Sequence, residues 1–149
     1  MSERYDQLKI HYVSSKGQTK ANIVINGCNL IGLLSFIEAR IKAEDDEAPV
    51  GSYRFLPPEV LYEGLVRTET EDRFEKRNDA PLTECANCGE IHCWSVFTIV
   101  ERGENSVIWT LRHNHRDWDY GLKLRFDRIA YDAEMNGLRH HSLRAVEGI

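Results

Sequence analysis

The chain has 149 residues, 42% hydrophobic and 29% charged, and a formal charge of −5. This suits a single α+β-sized domain over 1–149, long enough to bury a core without covalent staples. The acidic balance and the lack of a basic stripe exclude general nucleic-acid binding, and no apolar run approaches the ~20 residues that span a membrane.

The opening MSERYDQLK is charged and carries no apolar signal core, so a cytoplasmic location is expected. In that reducing compartment four cysteines point to ligands or free thiols rather than to disulfides.

In chain order, Leu8, Ile10 and Tyr12 alternate with polar residues. Ser14 to Gln18 make a turn, and Ile23 and Ile25 continue on a second strand. Asn26-Gly27 breaks that strand. Leu30, Leu33, Leu34, Ile37 and Ile41 then form one apolar helical stripe, capped by Asn26 or Asn29 and ending near Lys42. Pro57-Pro58-Glu59 opens a short helix through Tyr62, with Gly64 as its stop. Residues 67–79 are almost wholly polar and read as an exposed loop.

Trp94 to Glu101 is rich in aromatic and β-branched residues, Gly103-Glu104-Asn105 is a turn, and Val107 to Arg112 is the returning strand. Leu122, Leu124 and Phe126 alternate on a further strand. Asp127 caps a helix through about Leu138, and residues 140–149 read as a loose tail. The expected fold is therefore α+β, an antiparallel sheet built from two hairpin-like units with two main helices and a cysteine-rich turn.

That turn carries the sharpest signal. Cys85, Cys88 and Cys93 form a C-x2-C-x4-C pattern, and Gly89 supplies the positive φ that a turn folding two thiolates together needs. Closed tetrahedra of Cys and His are the usual structural zinc sites, so Zn2+ is the expected ion and a fourth ligand is required. A three-residue turn at Gly103 to Asn105 sets Cys93 opposite His115, with Cβ atoms roughly 4.5–5.5 Å apart. A two-residue turn shifts the partner by one and flips the facing. The order of candidates for the fourth ligand is His115, His113, Cys28, His92.

Other constellations are weaker. His113-Asn114-His115-Arg116-Asp117 is similar to the H-x-H-x-D metal motif of metallo-β-lactamase-like hydrolases, but Trp118 stands where those enzymes have a further His. Cys93 with His115, and Asp117 or Asp119 as orienter, would make a thiol nucleophile pair, yet no oxyanion device accompanies it. A redox Cys85/Cys88 pair lacks the helix N-terminus that usually lowers a thiol pKa. Trp118, Tyr120 and Asp117, in the loop after His115, are the candidates for surface binding.

The run Cys88-Gly89, Cys93-Trp94, His115-Arg116, Trp118-Asp119-Tyr120 and Phe126-Asp127-Arg128 with Tyr131 resembles a family of small bacterial proteins. The family shows CGxxxCW, HR…W-x-Y and FDRxxY elements, and the likeness covers roughly residues 21–135. Many relatives carry C-x-C where this chain has Cys85 and Cys88, and Asn114 stands in place of a usual Pro. The resemblance implies a bacterial or phage origin and no particular activity.

Together these features lead to the expectation of a small zinc-stabilised binding protein, an immunity-type or antagonist protein meeting a protein partner with a basic surface. The alternative is a metal- or thiol-dependent enzyme with an open zinc position.

Overall fold

Two Gly-containing turns set up the first layer. In the computed structural model, which describes residues 4–70, 79–91 and 93–147, β1 (Leu8–Ser15) and β2 (Gln18–Ile25) pair antiparallel from Leu8↔Ile25 to Ser15↔Gln18. Lys16 and Gly17 both take positive φ, as a two-residue hairpin turn demands. Asn26 and Gly27 repeat that device, and β3 (Cys28–Asn29) folds back on β2.

Helix α1 (Leu30–Ile41) begins directly after it. Asn29 is the cap: its Oδ1 accepts from the backbone N–H groups of Ile31 and Gly32 at 3.0 and 3.3 Å. Asn26 serves the hairpin instead, accepting from Gln7 N and donating to Asp6. The helix buries Leu30, Leu34 and Glu38, so a carboxylate occupies the inner stripe.

The middle of the chain departs from expectation. β4 (Tyr53–Phe55) and β6 (Thr83–Cys85) form a two-stranded sheet, and β5 (Asp79–Pro81) joins the second large sheet. α2 runs Pro58–Thr70, straight through Gly64. Gly64 does not stop the helix; it lets α2 approach β5, since a Cβ there would lie 3.0 Å from Pro81 Cδ. The expected loop at 67–79 is thus helical through Thr70 and extended from Asp79, while 71–78 lie outside the described residues.

The second sheet has the order β5-β7-β8-β9, with β7 Val96–Arg102, β8 Ser106–His113 and β9 Lys123–Asp127. β7 and β8 pair as Val96↔His113 through Arg102↔Val107, and Gly103 N donates to Ser106 O at 2.8 Å. The turn therefore has two residues, Glu104 and Asn105, where three were expected. A three-residue turn would face Phe97 and Ile99 inward with Val107, Trp109 and Leu111; the one-position slip turns Val96, Thr98 and Val100 inward instead, beside Val107, Trp109, Leu111 and His113.

Helix α3 (Arg128–Glu147) follows, started by Asp127 Oδ2 accepting from Ala130 N at 3.1 Å. It continues well past Leu138, so the expected loose tail is helical up to Glu147. Tyr12 and His141 stack there, ring centroids 3.4 Å apart. α3 packs on α2 and β1, and Asp6 ties the start of β1 to Arg125 of β9 by two hydrogen bonds. The core holds Trp109 edge-on to Phe126 and Tyr131. The fold is α+β with three helices and antiparallel strands around a cysteine-bearing turn. No helix among the described residues is long and apolar enough to cross a membrane.

Candidate metal centre

Cys85 is the last residue of β6, opposite Tyr53 of β4, and Ala86 N extends that pairing to Ser52 O at 3.1 Å. The chain then reverses. Gly89 N donates to Cys85 O at 2.8 Å and Cys85 N to Glu90 O at 3.1 Å, closing a tight loop over residues 85–90. Gly89 has φ +72°, and a Cβ there would sit 3.1 Å from Arg54 Nη2 and 3.2 Å from Glu84 Oε2. Only glycine meets both demands. Glu84, nearly buried, is held between Lys20 and Arg54 at 3.2 and 3.3 Å.

Cys93 arrives from the other side, on the segment entering β7. Buried Ser95 fixes that segment: its Oγ donates to Ile91 O at 2.5 Å and its N–H to Asn114 Oδ1 at 3.0 Å. Asn114 N donates back to Ser95 O. These two anchored segments bring the sulfurs of Cys85, Cys88 and Cys93 within 4.8 Å of one another. All three are free thiols; Cys85 is buried, and Cys88 and Cys93 are exposed. Thiolates at ~2.3 Å from a shared tetrahedral ion lie roughly 3.8 Å apart, inside that bound, so the cluster could hold a metal ion.

The electrostatics are asymmetric. Burial works against ionising Cys85, but the backbone N–H groups of Asn87 and Cys88 and the Cys88 and Cys93 thiols donate to its sulfur, and its pKa falls below the ordinary thiol value. Cys93, hydrogen-bonded to Cys88 and Cys85, is pushed up to about 11. The N–H groups converging on Cys85 favour a thiolate, the form that binds metal. Cys85 joins the cluster by the same mutual distance as the other two.

No fourth His, Cys, Asp or Glu atom among the described residues joins the three sulfurs at that mutual distance. His115, expected opposite Cys93, is exposed, with its ring facing Trp94 at 6.4 Å. The two-residue turn that shifted the hairpin register explains this. His113 is buried against Trp94 and Trp118, and its Nδ1 accepts from the backbone N–H groups of His115 and Arg116 at 2.9 and 3.1 Å. That leaves the proton of the neutral ring on Nε2, with no lone pair to offer a metal. Cys28 is exposed in β3 and does not join the cluster. His92 lies outside the described residues.

The surface-binding candidates separate. Tyr120 is buried, and its hydroxyl donates to Glu38 Oε2 at 2.7 Å. Trp118 is partly buried against Trp94, His113 and Tyr120. With exposed Asp117 it lines an open cleft of about 530 Å³ shared with Ile41, Asp46, Arg116 and Asp119. Arg116 spans that cleft, its Nε 3.4 Å from Asp46 Oδ2 and its guanidinium 5.2 Å from the Trp94 ring centre.

Sequence reasoning missed Glu38, whose carboxylate accepts from Tyr53, Tyr120 and Gly51 N. Its position four residues after Leu34 on the apolar stripe was the available signal. No family model, curated protein or solved structure matches the chain.

Proposed function

We propose that this chain binds a zinc ion through Cys85, Cys88 and Cys93 and acts as a small zinc-stabilised interaction protein. The observation that supports it is the convergence of three free sulfurs, from two independently anchored segments, within 4.8 Å. Zinc is the ion that suits thiolates in a reducing compartment without redox chemistry of its own. Bound there, it would tie the end of β6 to the start of β7 and so join the two-stranded sheet to the four-stranded one.

The partner we propose is a protein with a basic surface, which would make the chain an immunity-type or antagonist protein working in the cytoplasm. An excess of 24 acidic over 19 basic side chains and the cleft beside Asp117 and Trp118 support that reading through faster encounter with positive charge.

Elemental analysis of the purified chain tests the metal. The reading requires stoichiometric zinc, lost in Cys85→Ser, Cys88→Ser and Cys93→Ser alike. Retention of zinc in any two of these variants would remove the proposed ligand set. For the partner, affinity capture at low and high salt is the test: a basic protein bound stoichiometrically, released by salt and by Asp117→Lys, is the expected result. A partner insensitive to both would point to another surface.

A second reading, a metal-dependent enzyme with an open coordination position, draws on the convergence of three ligands rather than four among the described residues. Cobalt substitution distinguishes the two. A visible spectrum that shifts on adding azide or imidazole favours the open site, and an unmoved spectrum favours a site closed by a fourth protein ligand.

A further inference from the structure

The three sulfurs of the cluster are close but differently placed. Cys85 is 3% exposed at the end of a paired strand. Cys88 and Cys93 are both exposed. Cys88 sits within the tight 85–90 loop, and Cys93 on the segment entering β7. Their sulfurs lie within 4.8 Å and close to the ~2.05 Å of a disulfide when they pair.

We infer that Cys88 and Cys93 form a disulfide under hydroperoxide and thereby release the metal, with Cys85 left as a thiol. This extends the zinc reading above and rests on it. One exposed sulfur, kept as a thiolate by the ion it binds, attacks the peroxide O–O bond and becomes a sulfenic acid, while the leaving oxygen takes up a proton and departs as water. The second thiolate attacks that sulfur; the S–S bond forms, the S–O bond breaks, and the hydroxide leaves and takes up a proton. The two sulfurs lose two electrons in all, and hydrogen peroxide becomes two waters. A centre that has lost two of three thiolates no longer holds its ion.

Exposure decides which sulfurs react, because peroxide must reach them. The buried Cys85 is shielded from the oxidant. The new bond would still link the 85–90 loop to the entry of β7, so the connection the metal held would stay closed while its charge changed. The redox pair is thus Cys88–Cys93 rather than the Cys85/Cys88 pair that C-x2-C spacing suggests.

The test is hydrogen peroxide treatment of the zinc-loaded chain in a Cys28→Ser background, which removes the remaining exposed thiol. A chromogenic chelator follows zinc, and mass spectrometry of the alkylated, unreduced digest maps the disulfide. The expected result is zinc release in step with a Cys88–Cys93 disulfide, reversed by dithiothreitol and zinc. Zinc retained after full loss of the two thiols, a bridge that includes Cys85, or sulfinic acid without a bridge would each overturn the inference. Cys85→Ala, which the ligand set above leaves without zinc, reads the pairing alone and should form the same bridge under peroxide. If the untreated chain neither carries nor takes up zinc, the zinc reading fails by that measurement alone and metal release fails with it, while the map still reads whether Cys88 and Cys93 pair.

Discussion

Tyr120 Oη donates to Glu38 Oε2 across 2.7 Å of space and 82 positions of chain. The same oxygen accepts from Tyr53 Oη at 2.5 Å, and Oε1 accepts from Gly51 N at 2.9 Å. Glu38 is fully buried, so this set of donors replaces the water its carboxylate has lost. Burial first, and then the bond to Glu38, raises the pKa of both tyrosines, so each stays a donor. Tyr120→Phe should cost about 1.5–3 kcal/mol, the range for a hydrogen bond to a charged group. Glu38→Ala should cost more, because it strands three donors. Urea unfolding measures both, and a Tyr120→Phe loss under ~0.5 kcal/mol would mean that the network is immaterial to stability.

Gly89→Ala should weaken metal binding and the fold together. The residue holds φ +72°, where a side chain is strained, and its Cβ would press on Arg54 Nη2 and Glu84 Oε2 at 3.1 and 3.2 Å. A loss of about 1–2 kcal/mol is expected, with zinc affinity reduced because Cys88 moves with the loop. Competition titration against a chromogenic chelator reads the affinity. Unchanged affinity in a well-folded Gly89→Ala chain would show that the loop tolerates another shape.

His113 makes stability fall in acid. Burial, then the charges of His115 and Arg116, lower its pKa from 6.5 to about 4. The unfolded chain therefore binds a proton that the folded chain refuses between those values. The stabilising contribution is complete above about pH 6.5 and is lost as pH falls toward about 4, with an upper bound of roughly 3 kcal/mol. Urea unfolding of metal-free protein at several pH values between 4 and 7 isolates this from acid loss of metal. His113→Gln should flatten the dependence in that window; an unchanged slope would place the acid sensitivity elsewhere.

The stack of Tyr12 on His141 holds the far part of α3 against β1, with the rings nearly parallel. His141→Ala should lower stability by about 0.5–1.5 kcal/mol and speed amide exchange in the last turns of α3. Exchange unchanged beyond Leu138 would show that other contacts secure the helix end.

Local pattern was enough for much of this protein. Alternation marked β1 and β2, the apolar spacing from Leu30 to Ile41 marked α1, and C-x2-C-x4-C with Gly89 marked the thiol cluster, because each is set by residues a few positions apart. The tertiary structure decided the rest. Whether the β7–β8 turn takes two residues or three cannot be read from Gly103-Glu104-Asn105, yet it places His113 opposite Val96 and leaves His115 away from the sulfurs. Side chains alternate with a period of two, so a slip of one residue exchanges the faces of a strand. Gly64 reads as a helix stop in the sequence but packs against Pro81, and Glu38, which sequence reasoning passed over, is held by two distant tyrosines. Such contacts join residues far apart in the chain, and no local periodicity records them.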